Sequence, residues 1–354
     1  MNKPSSLLFL IAIATILFSF QKTTPVGGDH ANNRKLKALI VDGQNNHGIW
    51  PKTTVMMKDY LEQTGLFEVD VARTSLTWQG PHNDNDVNLG EKKRLQLLEE
   101  FPIAGDKKTT MVPKPEADPA YKPDFSKYDV VISNFGWTAA AWPKETQAAF
   151  EKFISNGGGL VVVHAADNSF PEWVAFNKMI GMGAWGGRSE KDGPYVYYND
   201  KNELVRDTTK GGAGSHGRQQ EFLIQIRDQS HPITQGMPAK WLHAQDEMYD
   251  RLRGPAENMN VIATSYSDEV KNASFFSPLL GTSRHEPMMI TVNYGRGRIF
   301  HTPLGHTDYS MECVGFIVMM QRGAEWAATG KVTQKLPADF PTSEKTSQRP
   351  YRKK

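Results

Sequence analysis

The 354-residue chain has a single cysteine, Cys313, so no disulfide can close within it and the fold must be held by its core. The one thiol sits in the apolar helical stretch Met311–Met320, where burial is expected, and no strand end carries a cysteine nucleophile. Neither charge sign is in excess, since 41 Lys and Arg face 39 Asp and Glu. Nor is any basic cluster interleaved with aromatics, which removes the electrostatic case for nucleic acid. Internal repeats are missing, and so is the His-x-x-x-His spacing of helical zinc hydrolases. Long apolar runs are lacking with one exception, Leu7–Phe20, fourteen residues without a charge after Lys3. As a helix this run would span about 21 Å, short of a hydrocarbon core of about 30 Å. Residues 1–30 are therefore expected to be a signal peptide, the chain exported to the periplasm or beyond the cell, and no membrane span retained. An uncleaved N-terminal anchor is the alternative.

What is present is an alternation of strand and helix patterns. Lys37–Asp42 reads as a strand, Gly43–Gly48 as a polar turn, Thr53–Gln63 as a helix and Phe67–Ala72 as a second strand, the order of a parallel βαβ unit. Residues 73–125, rich in Asn, Asp, Lys and Pro, interrupt the pattern as an insertion with a helix near Glu91–Glu100. It resumes with a strand at Tyr128–Ser133 and a helix at Lys144–Asn156, closed by Gly157, Gly158 and Gly159. Leu160–Val163 is apolar throughout, as in a central strand buried on both faces, and a helix is expected from Pro171. Glycine-dense segments at 181–188 and 211–217 flank the aromatic strand Tyr195–Tyr198 and read as mobile loops over a pocket. Glu221–Ile226, Met288–Asn293 and Arg298–Thr302 read as strands, the last two joined by a hairpin at Tyr294–Gly297, and a helix spans Glu312–Thr329. The domain is expected over residues 31–334, with 335–354 as a flexible tail.

Residues able to carry chemistry gather at strand ends. His164 and Asp167 follow the apolar strand, at the edge where open α/β sheets bind ligands. His47 closes the run Asp42-Gly-Gln-Asn-Asn-His47 on the same edge, with Asn46 and Trp50 beside it. His216 and Arg188 lie in the glycine loops, and His306 follows the last strand in Pro303-Leu-Gly-His306. Asp246 and Glu247 are adjacent in an extended segment, so only one of them should face a given site. His231 and His285 read as structural.

Taken in order, these motifs resemble the ThuA-like (trehalose-utilisation) family. The resemblance rests on Asp42–His47, on Gly157–Ala166, and on Gly212-Ala-Gly-Ser-His216. It continues through Ser230–Gly236, Asp246-Glu-Met-Tyr249 and Gly295–Phe300 followed by Leu304-Gly-His306. It implies a class I glutamine amidotransferase-like fold, flavodoxin-like, with a doubly wound, mostly parallel sheet, helices on both faces and inserted loops. In amidotransferases the elbow after the corresponding strand holds a cysteine; here it holds His164, which argues against glutamine hydrolysis. The family is associated with disaccharide catabolism, through 3-keto sugars in particular, so the expected ligand is a small carbohydrate.

A ketone at C3 acidifies the C2 proton, and a site acting on such a glycoside needs a base, an enolate stabiliser and an acid. Asp246 or Glu247 is expected as base, His164 as stabiliser and His306 as acid. Asn46, His47, Trp50, Asp167, Arg188 and His216 are expected to bind substrate. No cofactor is assigned, although His47, His164, His306 and a carboxylate could together hold a divalent metal. A non-catalytic sugar-binding protein is the alternative.

Overall fold

Short runs of aliphatic residues, each bounded by turn formers, set the centre of the fold. The structure is a computed structural model describing Met1 and residues 34–82, 91–103 and 109–353. Apart from Met1, the expected signal peptide lies outside the described residues. Among them no helix is long and apolar enough to cross a membrane. In chain order the first elements are β1 (Leu36–His47), α1 (Trp50–Gln63), β2 (Phe67–His82), α2 (Glu91–Glu100), β3 (Thr110–Met111), β4 (Val130–Ser133), α3 (Lys144–Ser155) and β5 (Gly159–Val163). There follow α4 (Val174–Ile180), β6 (Tyr195–Tyr198), β7 (Leu204–Asp207), β8 (Ser215–His216), β9 (Gln220–Ile226) and β10 (Lys240–Asp246). The last are β11 (Tyr249–Asp250), β12 (Met259–Tyr266), β13 (His285–Tyr294), β14 (Gly297–Thr302), α5 (Asp308–Met311) and α6 (Val314–Thr329).

The main sheet runs in the order β10-β9-β12-β13-β14-β5-β4-β1-β2-β3. From β14 to β3 all neighbours are parallel. From β14 to β10 they are antiparallel, starting from the expected hairpin. This is the expected α/β, flavodoxin-like sheet with an antiparallel extension. Its parallel half is buried on both faces, as alternate residues show. Val161 and Val163 of β5 join the apolar cluster under α1 and α6, whereas Leu160 and Val162 join the cluster under α3 and α4.

Four expectations need correction. The polar segment Gly43–His47 is not a turn but the continuation of β1, paired with an equally prolonged β2 that absorbs residues 73–82 of the expected insertion. Buried polar bonds make this extension stable. The Arg73 guanidinium donates to both Asp42 carboxylate oxygens at 3.0 and 2.8 Å, and Thr54 of α1 donates to the same carboxylate at 2.8 Å. Gly43 is needed at the bulge between them: its φ is +130°, and a Cβ would sit 2.0 Å from Thr74 Oγ1.

Second, the glycine loop 211–217 is pinned rather than loose. Its β8 pairs with β11, and Gly214 and Ala213 bond to Arg251 and Arg188 through their backbones. Third, the helix expected from Pro171 begins at Val174, because a tight 3₁₀ turn, His164–Asn168, follows β5 first. Finally, residues 335–353 are no flexible tail. Phe340 packs on Trp241, Tyr351 donates to Asp59 at 2.6 Å, and backbone bonds tie Thr342, Ser347 and Arg349 to Leu242, Val314 and Glu312. The signal missed was Phe340 and Tyr351 themselves, apolar surface large enough to hold a strap against the core.

Candidate metal centre

Three parallel strands deliver three imidazoles to one point. His47 ends β1, His164 follows β5, and His306 follows β14 by four residues. β1 lies between β4 and β2, so the chain turns outward in both directions there, the switch point at which such sheets form a crevice. The ring centroids stand 4.9 Å apart for His47 and His164, 4.7 Å for His47 and His306, and 5.2 Å for His164 and His306. His164 has a φ of +47°, a left-handed conformation rare outside glycine, which aims its ring back over the sheet end.

The carboxylate comes from the antiparallel side. Glu247 lies directly after β10, with Oε1 3.4 Å from His306 Nε2. Its Oε2 is 3.8 Å from His164 Nε2 and 3.6 Å from His216 Nε2. All five side chains are buried.

Every ring is held by its other nitrogen. Nδ1 of His164 meets the Pro303 carbonyl at 2.8 Å and Nδ1 of His216 the Gly217 carbonyl at 2.8 Å. That of His47 meets Asn45 Oδ1 at 3.2 Å, and that of His306 the Gln219 side-chain amide at 2.7 Å. The oxygen acceptors place the proton on Nδ1 of His47, His164 and His216 and leave Nε2 as the lone-pair nitrogen, the orientation that metal-bound histidines take from their supporting shell. His306, which meets the Gln219 amide nitrogen, takes it with that amide turned over. Burial, with His306 adding to it, lowers His164 to about 4 against the pull of nearby carboxylates, so its ring is neutral near pH 7.

These donors fit a divalent ion. One ligand atom each from His47, His164, Glu247 and His306 lies within 4.8 Å of all the others. Bonds of about 2.0–2.1 Å in a tetrahedron put donors roughly 3.4 Å apart, so the three imidazoles can take three positions and leave the one beside Glu247 open. A cavity of about 10 Å³ touches all three imidazoles together with Trp50 and Asn134, room for about one water-sized particle. Imidazole and carboxylate together suit zinc and its first-row neighbours rather than calcium or magnesium.

Asp246 and Glu247 divide as strand alternation requires. Asp246 is fully buried and points away from the imidazoles. Its carboxylate accepts from the backbone N–H groups of Gly305 (2.7 Å), His306 (3.0 Å) and Glu247 (2.9 Å), and from His243 Nε2 (2.8 Å). Burial opposes its charge, yet the His243 bond and these N–H groups hold it at about 2. An acid so fixed shapes the Leu304–His306 loop and does not accept a substrate proton. Burial also works against a charged His243, but the neighbouring Cys313 sulfur and Asp246 raise it to about 10.

The other expected residues surround this centre. Trp50 is buried beneath it with its indole N–H on the Trp78 carbonyl, and Asn46 Oδ1 accepts from the Trp137 backbone. Asp167 faces His301 at 3.2 Å, below the imidazoles. Arg188 is committed to the carbonyls of Ala184 and Ser169 and to Asn177 Oδ1, which shapes the loop bearing Trp185. Two residues at the site went unassigned in the sequence. Tyr249 donates its hydroxyl to His164 Nε2 at 2.9 Å, and burial beside Glu247 and Asp167 keeps that phenol protonated. Its position two residues after Glu247 in extended chain was the available signal. Gln219, which fixes His306, carries none.

The trehalose-utilisation family model, ThuA, matches residues 93–327, a span that includes His164, His216, Glu247 and His306 but starts after His47. Among solved structures, a ThuA-like protein of Parabacteroides merdae is 40% identical, with 89% of this chain and 98% of that one covered at a TM-score of 0.71. A ThuA-like protein of Bacteroides uniformis is 16% identical over 87% of this chain and 96% of that one, with a TM-score of 0.48. No curated protein matches. The sheet and the family match agree: this chain belongs to the ThuA, trehalose-utilisation, family.

Proposed function

We propose that this protein is an exported, metal-dependent enzyme that cleaves 3-keto-glycosides or closely related oxidised disaccharides by acid/base elimination. The observation that carries this reading is the convergence of His164, His216 and His306, each with Nε2 within 3.8 Å of the Glu247 carboxylate, and of His47 with a ring nitrogen within 4.8 Å of the same group. His47, His164 and His306 would hold the ion, which when bound supplies a positive charge for the oxygen that becomes an enolate. Glu247, at the edge of that triad, accepts the C2 proton. The C–H electron pair forms the enolate, which collapses back to the ketone, forms a C1–C2 double bond and expels the C1 oxygen. His216 is the remaining imidazole, outside the triad with Nε2 3.6 Å from Glu247, and there it takes the C2 proton from Glu247 and passes it to the leaving oxygen. The Tyr249 hydroxyl, which donates to His164 Nε2 and is set free when an ion takes that nitrogen, stays protonated and orients the sugar. Proton acceptance and donation balance within this set, and no oxidant enters.

The assignment changes four sequence-based roles. His47, His164 and His306 move from substrate binder, enolate stabiliser and acid to ion holders, and His216 from hydroxyl binder to acid. The test incubates the zinc-loaded protein with methyl glucoside and its 3-keto form, following products by mass spectrometry. Release of methanol from the keto form alone is the expected result. Binding of either sugar with no product at any metal loading would instead assign the chain as a carbohydrate-binding protein.

A further inference from the structure

Large aromatic side chains are seldom left in water, so two adjacent phenylalanines exposed beside a buried polar centre need a reason. Phe275 and Phe276 are 57% and 53% exposed. Their rings stand 5.1 Å apart, nearly perpendicular, and both touch His216, at 5.6 and 5.0 Å between centroids. On its other side His216 meets the half-buried Trp185 at 5.8 Å. His216 thus joins the centre to an aromatic wall, and its Nε2 points at Glu247.

The segment bearing these rings is fixed in place. Asn272 donates to the Met248 carbonyl and to Asp250, and accepts from the Gly217 N–H next to His216. A Cβ on Gly217 would lie 2.7 Å from the Asn272 Cα, so the two backbones touch at this point. Ser267 adds a hydroxyl to Asp250, and Thr282 one to Glu286. Polar bonds at both ends of the segment hold two apolar rings outward against His216.

We infer that Phe275 and Phe276, with Trp185, form a subsite for an aromatic aglycone, so that the preferred substrate is an aryl glycoside. This rests on the carbohydrate reading above and adds which leaving group the site selects. Sugar on the metal side of His216 leaves the C1 substituent on the phenylalanine side. Leu279 and Leu280, 41% and 51% exposed in the same segment, extend the wall with apolar surface rather than hydroxyl-binding groups. Arg218, 5.6 Å from the Phe275 ring, is the cation that caps it. Such a wall favours a flat hydrocarbon ring over a second sugar.

The test uses the full chain loaded with zinc and measures, by calorimetry, the binding of phenyl and methyl glucosides in both anomers. Zinc binding is titrated separately. The wild type is expected to bind the better phenyl anomer about tenfold more tightly than its methyl counterpart. The F275S/F276S variant should bring that ratio to within twofold of one, with zinc affinity and methyl glucoside binding unchanged. F275W/F276W should restore the ratio, which a mere folding role would not do. An unchanged ratio in F275S/F276S, equal binding of the two sugars by wild type, or binding of neither would overturn the subsite. So would a wild-type dimer that F275S/F276S converts to monomer, since the wall would then meet a second copy. Absence of zinc binding overturns the metal-centre reading alone, because the phenyl-to-methyl ratio can still be read.

Discussion

The two halves of the sheet build one site by different means. The parallel half places His47 and His164 at the ends of strands buried on both faces, and His306 four residues past β14 on a loop that Asp246 also holds, with the three rings within 5.2 Å of one another. The antiparallel half contributes Glu247, Tyr249 and His216 from short segments after β10 and around β8, positioned by buried bonds of Asp246 to the Glu247 N–H and of Asn272 to Met248, Asp250 and Gly217. Strand ends hold ligands through the packing of a whole layer, whereas networks hold them through a few bonds. Loss of a single buried partner should therefore disturb the second half far more than the first.

The largest effect expected separates binding from chemistry. Alanine at His47, His164 or His306 should weaken zinc at least ~100-fold, as removal of a direct ligand exceeds the 10–100-fold cost of losing a supporting group. Glu247→Gln should keep zinc within ~10-fold yet reduce turnover of a 3-keto-glucoside by ~10³ or more, the low end of what a lost base costs being ~10². Zinc titration and product assays on the same preparations check both. Equal loss of zinc in all four variants would make Glu247 an obligate ligand and erase the distinction drawn between the halves.

Next in size is Asp246→Ala. Removing this buried carboxylate leaves His243 and three backbone N–H groups without their acceptor, a loss of ~3–5 kcal/mol in denaturant unfolding. Its pH dependence has a definite sign. The folded value of about 2 lies below the ordinary 3.8, so Asp246 adds stability that is fully present above about pH 4 and disappears as pH falls towards 2. Wild-type stability should fall across that window more steeply than that of the variant.

A smaller effect tests the network over the aromatic segment. Asn272→Ala should raise amide exchange within residues 267–284 by about tenfold while zinc affinity stays within twofold, since a lost buried bond is worth ~1–2 kcal/mol. Smallest is Glu286→Gln. Burial, with Asp250 adding to it, raises Glu286 from 4.5 to about 7. The folded state then holds a proton that the unfolded state has released, so stability declines as pH rises from about 4.5 to 7 and stays lower above. The variant should lack this decline and melt at least ~2 °C higher at pH 8.

This contrast also marks what could be read before the structure. The strand that delivers His164 is legible because four apolar residues between glycine and histidine admit few alternatives. Alternation showed that Asp246 and Glu247 would part, but not which would face the imidazoles, because that depends on the Gly305 and His306 N–H groups sixty positions away. Gln219 and the pinned glycine loop were hidden for the same reason: their partners are long-range and polar, and polarity along a chain looks the same in a loop and in a network. The continuation of β1 through Gly43–His47 was missed because its stability comes from Arg73 and Thr54 rather than from apolar pattern.

The most direct measurement is the zinc content of the purified protein after saturation and dialysis, alongside the His47→Ala, His164→Ala and His306→Ala variants. The account predicts one equivalent per chain in wild type and loss of it in all three variants. No bound metal in the wild type, or one equivalent retained in every variant, would contradict it.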